Sequence, residues 1–201
     1  MGSEMCIRDS YKTALIIGAE TLSKVTDWTD RGTCVLFGDG AGAAVLKAEE
    51  TGVVDMLMGS DGTKGPILSC TSRTLGNFLT GTRPELGLMT MDGQEVFRFA
   101  VKKVPESIEI LLERNHISRE EIKYYVLHQA NERIVEAAAR RLKEPMEKFP
   151  MTISKYGNTS SASIPLLLND MAEKNMLQPG DKIILSGFGA GMTWGAVLME
   201  W

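Results

Sequence analysis

The chain has 201 residues, of which 43% are hydrophobic and 24% are charged, and its formal net charge is -4 at pH 7. These values are typical of a soluble globular protein with one large domain or two small ones. An acidic chain has no overall attraction for nucleic acid, and no apolar run is long enough to predict a membrane-spanning helix. Three cysteines and two histidines without a CxxC pair argue against a zinc site and favour a reducing, cytoplasmic location.

The first ten residues, MGSEMCIRDS, differ from the rest of the chain. They have no hydrophobic centre and no periodicity, and the apolar segment after them begins as though in the middle of a fold. We therefore interpret residues 1–10 as a sequencing or cloning scar and leave them, with Cys6, out of the fold prediction.

Short apolar runs dominate the first part of the remaining chain. They predict strands that are buried on both faces, and they cover residues 12–19, 33–37, 43–47 and 52–59. Between residues 60 and 90, Gly, Pro, Thr and Asp dominate without a period, which predicts a long irregular segment with a functional role.

Strands and helices alternate in the second half. Apolar residues at helical spacing follow residue 91, with Pro105 inside the pattern, where a proline can kink a helix. Further segments predict strands at 122–127, 182–187 and 196–200, and helices at 131–143 and 159–175. This alternation favours a layered α/β fold with helices on the faces of a sheet.

The tetrapeptide HQAN places His128 where a buried strand ends and a helix begins. Sites of α/β folds gather at the carboxyl ends of strands. A helix N-terminus disfavours the imidazolium form, so His128 is expected to be neutral and to donate a hydrogen bond to a developing oxyanion. The alternative is a structural histidine that bonds a backbone carbonyl.

The segment YGNTSSAS, residues 156–163, combines a Gly-Asn pair with small hydroxyl residues before a predicted helix. Such a turn presents the amide of Asn158, which can donate to a carbonyl oxygen without a change of charge. The alternative is a helix cap provided by Thr159 or Ser160.

Two glycine clusters, GDGAG (38–42) and GFGAG (187–191), remain. The first fits the dinucleotide fingerprint G-x-G-x-x-A, which would make the protein a nucleotide-dependent oxidoreductase. However, AAVLK after it predicts a returning strand instead of the helix that binds a pyrophosphate. Close packing of strands and of a substrate chain is the favoured interpretation.

Six motifs occur in order, namely TDRGT (29–33), FGDGAGAAVL (37–46), TMDGQEVFRFAV (90–101), HQAN (128–131), YGNTSSASIP (156–165) and GFGAGMTWGAVL (187–198). Together they resemble β-ketoacyl-acyl carrier protein synthase III, a condensing enzyme, over nearly all of residues 11–201. The resemblance implies a thiolase-like αβαβα fold. This chain would hold the end of its N-terminal half (11–50) and its complete C-terminal half (51–201).

The resemblance also implies a reaction. An acyl group, expected to come from acetyl-CoA, is held on a cysteine, malonyl-acyl carrier protein loses carbon dioxide, and the enolate attacks the acyl group. His128 and Asn158 match the histidine and asparagine that hold the malonyl thioester carbonyl. Two neutral donors aimed at developing negative charge suit this chemistry. No cofactor is implied beyond the CoA thioester and the carrier-bound phosphopantetheine, which are substrates.

Other residues match positions of the substrate cleft in that family. Arg31 and Gly32 match a CoA-contacting Arg-Gly pair, although Arg31 in a surface ion pair is an equal alternative. Phe97 matches an aromatic residue near the substrate tunnel, while a role in the helix core is equally natural. Ala130 and Asn131 match residues that line the same cleft.

The stretch from Gln129 to Arg133 matches the docking site for the acyl carrier protein. Because that carrier is acidic, Arg133, Arg140 and Arg141 are expected to provide a local basic patch. Glu132 stands where an apolar residue is common in the family, and its charge weakens this patch.

The family's nucleophilic cysteine belongs to a motif in the N-terminal half. The sequence predicts Cys34 in a buried strand and Cys70 in the irregular segment, and neither lies in a motif that resembles it, so both are interpreted as plain thiols. We therefore expect a fragment of a homodimeric acyltransferase of fatty-acid initiation, inactive in condensation by itself. The alternative from another class is a non-catalytic module that binds CoA or acyl carrier protein.

Overall fold

The computed structural model describes residues 11–70, 76–77, 79–82 and 87–201, so the segment interpreted as a scar lies outside the described residues. The strands are β1 (Thr13–Glu20), β2 (Gly40–Lys47), β3 (Val53–Ser60), β4 (Leu68–Cys70), β5 (Met89–Met91), β6 (Ile122–Leu127), β7 (Lys182–Gly189) and β8 (Thr193–Glu200). The α-helices are α1 (Gly93–Asn115), α2 (Glu132–Leu142), α3 (Ile153–Tyr156) and α4 (Ser163–Glu173).

The central sheet has the strand order β3-β8-β7-β6. Strands β6 and β7 are parallel, whereas β8 runs antiparallel to both of its neighbours, β7 and β3. The parallel pair brings the carboxyl ends of β6 and β7 to the same edge of the sheet. Residue 128, which follows β6, therefore lies beside the GFGAG cluster at the end of β7.

Helices cover both faces of this sheet. Tyr125 and Leu127 of β6 join Ile184 of β7 in a buried cluster with α1 and α2. The alternating residues Val126 and Ile183 point the other way, into a second cluster with residues of α4. This alternation of apolar side chains on both faces is typical of a sheet between two helical layers and confirms the predicted layered α/β fold.

Strands β1 and β2 form an antiparallel hairpin that packs on the far side of α4. A β carbon at Gly18 would lie 2.6 Å from the carbonyl oxygen of Ser161, and one at Gly42 would lie 2.7 Å from Cβ of Pro165. The chain thus has four layers, in the order helix, sheet, helix and sheet. The absence of side chains at these two glycines allows the hairpin to approach α4 this closely.

The hairpin is not buried on both faces, so that prediction was wrong. Leu15, Ile17 and Val45 on the face away from α4 are each more than 60% exposed. Within the described part of the chain, that apolar face is open to solvent.

A second prediction also failed: residues 33–36 form turns, and Phe37 makes an isolated bridge to Asn158, instead of a strand over 33–37. The hydroxyl of Thr33 bonds the Asp30 carboxylate at 2.8 Å, and the backbone N–H of Cys34 donates to the Asp30 carbonyl at 3.0 Å. These local bonds to Asp30 hold the segment in turns, and the Cys34 N–H is satisfied without a strand partner. Cys34 accordingly lies in a turn and is partly exposed.

The helices match their sequence patterns closely. Helix α1 runs unbroken through Pro105 and is capped by Asp92, whose side chain accepts the N–H groups of Gln94 and Glu95. Helix α2 begins after Asn131 and ends before Lys143, within the predicted limits. The predicted helix at 159–175 is a 3-10 turn, Ser160–Ala162, followed by α4.

Candidate active site

His128 follows directly after β6 and is held against β7. Its backbone N–H donates to the Ser186 carbonyl at 2.8 Å, and its ring packs edge-on against Phe188 with 5.6 Å between ring centroids. Burial lowers the pKa of His128 from 6.5 to about 4, because a low-dielectric environment disfavours the imidazolium. At pH 7 the ring is therefore neutral; burial is the cause, whereas the predicted cause was a helix N-terminus, and α2 begins only at Glu132.

The imidazole of His128 is held by a side chain of α4. Nδ1 lies 2.6 Å from Oγ of Ser163, the first residue of α4. The backbone N–H of Gln129 also points at that hydroxyl oxygen, at 3.4 Å. The YGNTSSAS motif includes Ser163 but does not indicate this role, since only the fold brings α4 beside the end of β6.

Asn158 reaches the same region from the other side of the fold. Its backbone pairs with the turn before β2: its N–H donates to the Leu36 carbonyl at 2.8 Å, and its carbonyl accepts from the N–H of Gly38 at 2.9 Å. The preceding residue, Gly157, has a φ of +68°. Its missing β carbon would stand 3.1 Å from the Leu36 carbonyl oxygen, so a glycine suits both the backbone angle and the contact.

The side chain of Asn158 is oriented by its own turn. Its Oδ1 accepts the backbone N–H of Ser160 at 3.0 Å. Because an N–H must face an acceptor, this bond identifies the oxygen of the amide and leaves the NH₂ group at the other end. Asn158 thus directs a donor away from the turn, and it is also buried.

His128 and Asn158 line one cavity of about 630 Å³. Four other residues predicted for the substrate cleft line it with them: Gly32, Phe97, Ala130 and Asn131. Its wall is largely apolar, which suits a thioester arm more than a charged ligand. Arg31 is exposed on the turn beside Gly32 and is not among the residues that line this cavity.

His128 also lines a second, more open cavity of about 650 Å³, together with Ser163. His128 therefore contacts two cavities, one lined by Asn158 and one lined by residues of β3 and β8.

The predicted carrier-docking stretch divides into buried and exposed parts. Gln129 is only 1% exposed, and its amide donates to the Leu127 carbonyl at 2.8 Å and accepts from the N–H of Thr152 at 3.0 Å. Its side chain joins the end of β6 to the segment before α3 and is not available to a partner protein. Glu132 and Arg133 are exposed on the first turn of α2, and Arg133 lines the cavity.

Cys70, predicted in the irregular segment, lies at the end of β4, with its thiol exposed and donating to the Gly87 carbonyl at 3.3 Å. It lines the cavity that contains His128 and Asn158, whereas Cys34 does not. No sequence signal indicated this, because the residues on both sides of it lack a period.

The GDGAG cluster does not have the geometry of a dinucleotide site. It leads into β2 (Gly40–Lys47), and a β carbon at Gly38 would meet the Tyr156 carbonyl oxygen at 2.2 Å. The cluster therefore serves close packing against the Asn158 turn, as the favoured interpretation predicted, and does not open a helix on a phosphate.

Within the described ranges, no three or more His, Cys, Asp or Glu side chains are grouped so that they could hold a metal ion. In the same part of the chain, no helix has the length and apolar character needed to cross a membrane.

Two family models match the chain. Residues 112–201 match the model described as 3-oxoacyl-[acyl-carrier-protein (ACP)] synthase III C terminal, and residues 1–62 match the model described as 3-oxoacyl-[acyl-carrier-protein (ACP)] synthase III. The second match includes residues 1–10.

Individual proteins agree with these matches. The chain is 51% identical over 192 residues to β-ketoacyl-[acyl-carrier-protein] synthase III of Clostridium novyi, covering 94% of this chain and 59% of that protein. The crystal structure of 3-oxoacyl-[acyl-carrier-protein] synthase III from Aquifex aeolicus superimposes with a TM-score of 0.88 at 37% identity, covering 100% of this chain and 61% of the other. The Thermus thermophilus synthase III structure has the same TM-score at 38% identity, covering 99% and 62%. This chain therefore spans about 60% of the length of these relatives.

Proposed function

Because the chain belongs to the 3-oxoacyl-[acyl-carrier-protein (ACP)] synthase III family, we propose that it forms the oxyanion-binding part of an acyltransferase that condenses acyl-CoA with malonyl-ACP. The observation that carries this proposal is the pair His128 and Asn158 on one apolar cavity, each with one polar end already bonded within the protein. Such a pair offers two neutral donors to a ligand in the cavity.

The proposed chemistry needs these donors at one step. When the malonyl thioester loses carbon dioxide, the electrons of the broken C–C bond move onto the thioester carbonyl and form an enolate. Preorganised donors in a water-poor site stabilise that oxygen without reorganising during the reaction. A histidine that is neutral at pH 7 and an uncharged amide supply them without gaining or losing a proton.

The condensation also needs a nucleophile. A cysteine thiolate displaces CoA from acyl-CoA, and the enolate carbon then attacks the acyl thioester, forms the new C–C bond and releases the thiolate. Neither Cys34 nor Cys70 lies in a motif resembling that of the nucleophile. We propose that this chain does not supply it, and that the acyl-enzyme step requires residues beyond these 201.

The purified chain tests both parts of the proposal. With malonyl-CoA alone, we expect slow release of carbon dioxide and formation of acetyl-CoA. With acetyl-CoA and malonyl-ACP together, we expect no acetoacetyl-ACP, as followed by mass spectrometry of the carrier. Condensation product from this chain would overturn the proposed lack of a nucleophile.

Cys70 is the residue to check in that case, since it lines the cavity. Incubation with radiolabelled acetyl-CoA is expected to leave the chain unlabelled. A thioester found on the wild type and lost in Cys70→Ser would identify Cys70 as the acyl acceptor.

The partners follow from the same proposal. They are acyl-CoA, with acetyl-CoA as the expected starter, the acidic carrier protein and a second subunit in a cytoplasmic homodimer. A non-catalytic module that binds CoA or the carrier is the competing function. Tight binding of CoA or carrier with no decarboxylation of malonyl-CoA would favour it.

A further inference from the structure

The hydrogen bond between His128 and Ser163 affects which ring nitrogen of the histidine carries the proton. A neutral imidazole carries one N–H, on either Nδ1 or Nε2, and the other nitrogen is an acceptor. An oxyanion-binding histidine must present the N–H to the ligand, so the tautomer decides whether the ring can act at all. Partners of the second nitrogen set the tautomer.

Ser163 has few options for its own hydroxyl proton. Its Oγ is in contact with His128 Nδ1 at 2.6 Å and receives the backbone N–H of Gln129 at 3.4 Å. Among the described residues, these are the two partners found for this oxygen. Since the backbone N–H can only donate, the hydroxyl proton has one available acceptor, His128 Nδ1.

The opposite tautomer would leave the hydroxyl proton without a partner. If Nδ1 carried the hydrogen, the ring and the Gln129 N–H would both donate to Oγ. The serine O–H would then have no acceptor among the described residues, and Ser163 is only 2% exposed. Leaving a buried donor unsatisfied is unfavourable by more than a typical hydrogen bond contributes.

We infer that Ser163 is a positioning residue that fixes His128 in its Nε2–H tautomer by donating its hydroxyl proton to Nδ1. The role of this tautomer in catalysis rests on the proposed function, whereas the tautomer itself does not. The side chain of Asn158 is also oriented by a hydrogen bond, because the Ser160 N–H fixes the position of its amide oxygen. The short segment from Ser160 to Ser163 therefore orients both donors of the pair.

Nitrogen-15 NMR of the histidine rings tests this directly. The chain contains two histidines, and the other, His116, is exposed at the end of α1. The variant His116→Asn assigns the signals. At pH 7 we expect His128 Nε2 to have the shift of a protonated nitrogen and Nδ1 that of an unprotonated one. A protonated Nδ1 in the wild type would overturn the inference.

Two variants separate the hydrogen bond from packing. Ser163→Ala is expected to produce a mixture of His128 tautomers and to slow malonyl-CoA decarboxylation about three- to tenfold, the range expected for the loss of one hydrogen bond. Ser163→Thr keeps a hydroxyl and should retain the Nε2–H signal. An unchanged tautomer in a folded Ser163→Ala protein would also overturn the inference.

The readouts distinguish the role of Ser163 from the proposed function. If the NMR signals are as expected but the wild-type chain does not decarboxylate malonyl-CoA, the proposed function fails and the role of Ser163 stands. If the wild-type chain decarboxylates but Nδ1 carries the proton, the role of Ser163 fails and the proposed function stands.

Discussion

The backbone N–H of Gly38 donates to the carbonyl oxygen of Asn158 at 2.9 Å, which joins the start of the β2 segment to the turn that presents the Asn158 amide. The two residues are 120 positions apart in the sequence. Gly38 also passes the Tyr156 carbonyl oxygen so closely that a β carbon would lie 2.2 Å from it. One half of the candidate site is thus positioned by a glycine that does not line the cavity.

Gly38→Ala should therefore destabilise the fold and disturb Asn158. The added methyl group meets backbone, which cannot move aside as a flexible side chain can, and overpacking of this kind destabilises by about 1–3 kcal/mol. We expect a lower urea midpoint and slower decarboxylation of malonyl-CoA. Gly62→Ala is the matched control, because a β carbon there would have no atom within 4 Å. Equal stability of the two variants would contradict the packing argument.

Removing either donor of the pair should slow decarboxylation without unfolding the chain. Loss of one preorganised donor at an oxyanion typically lowers the rate by about 100- to 1000-fold. We expect His128→Ala and Asn158→Ala each to fall in this range in a coupled assay of acetyl-CoA formation. His116→Asn, at an exposed site where the backbone is left-handed, should retain full activity. Wild-type rates in either cavity variant would remove that residue from the proposed mechanism.

The pKa of His128 predicts a pH dependence of stability. It is about 4 in the folded protein against 6.5 for an unperturbed histidine. Between these values the unfolded chain binds a proton that the folded chain does not. The free energy of unfolding therefore falls as the pH is lowered from 6.5 towards 4, by up to about 3 kcal/mol from this one residue.

Urea unfolding at several pH values measures this contribution, with His128→Gln as the comparison. The variant should lose less stability than the wild type over the same pH window, because it lacks the imidazole of His128 and keeps every other titratable side chain. Parallel curves for the two proteins would mean that His128 is solvated in the folded chain.

The elements that could be predicted are those whose pattern is local. Helices α1 and α2 repeat apolar residues at helical spacing, and Asn131 begins α2 by accepting the Arg133 N–H. The prediction of a strand at residues 33–37 failed because an apolar composition does not reveal local hydrogen bonds. Here the Asp30 carboxylate and carbonyl accept hydrogen bonds from Thr33 and Cys34. There the local side-chain bonds outweighed strand propensity.

The structure brings His128 and Asn158, both predicted from their motifs, to one cavity, but the sequence did not indicate what holds them there. His128 and Asn158 each follow a recognisable strand end or turn, so their chemistry could be anticipated from the motifs. Their supports could not, because Ser163 and Gly38 reach them only through contacts between different layers. The position of Cys70 on the cavity wall could not be predicted, because its segment has no hydrophobic period from which a structure could be inferred.

The last prediction concerns Gln129 and Arg133. Both were expected to take part in docking of the carrier protein, but in the structure Gln129 is buried and Arg133 is exposed. Gln129→Met keeps the volume but leaves the Leu127 carbonyl and the Thr152 N–H without partners. Each unsatisfied buried group is unfavourable by about 1–3 kcal/mol, so the urea midpoint should fall clearly. Arg133→Ala alters an exposed side chain, for which a change of about 0.5 kcal/mol or less is typical.

The two variants should rank in the opposite order in binding of the carrier protein, with the larger effect from Arg133→Ala. An exposed arginine beside the cavity attracts an acidic partner through a field that salt screens. Arg133→Ala is therefore expected to weaken carrier binding at low salt, with a smaller difference at high salt, as measured by surface plasmon resonance. Folded Gln129→Met should bind the carrier as the wild type does, because its side chain faces the interior. If Gln129→Met weakened binding while Arg133→Ala did not, the carrier would have to approach this segment from another side of the molecule.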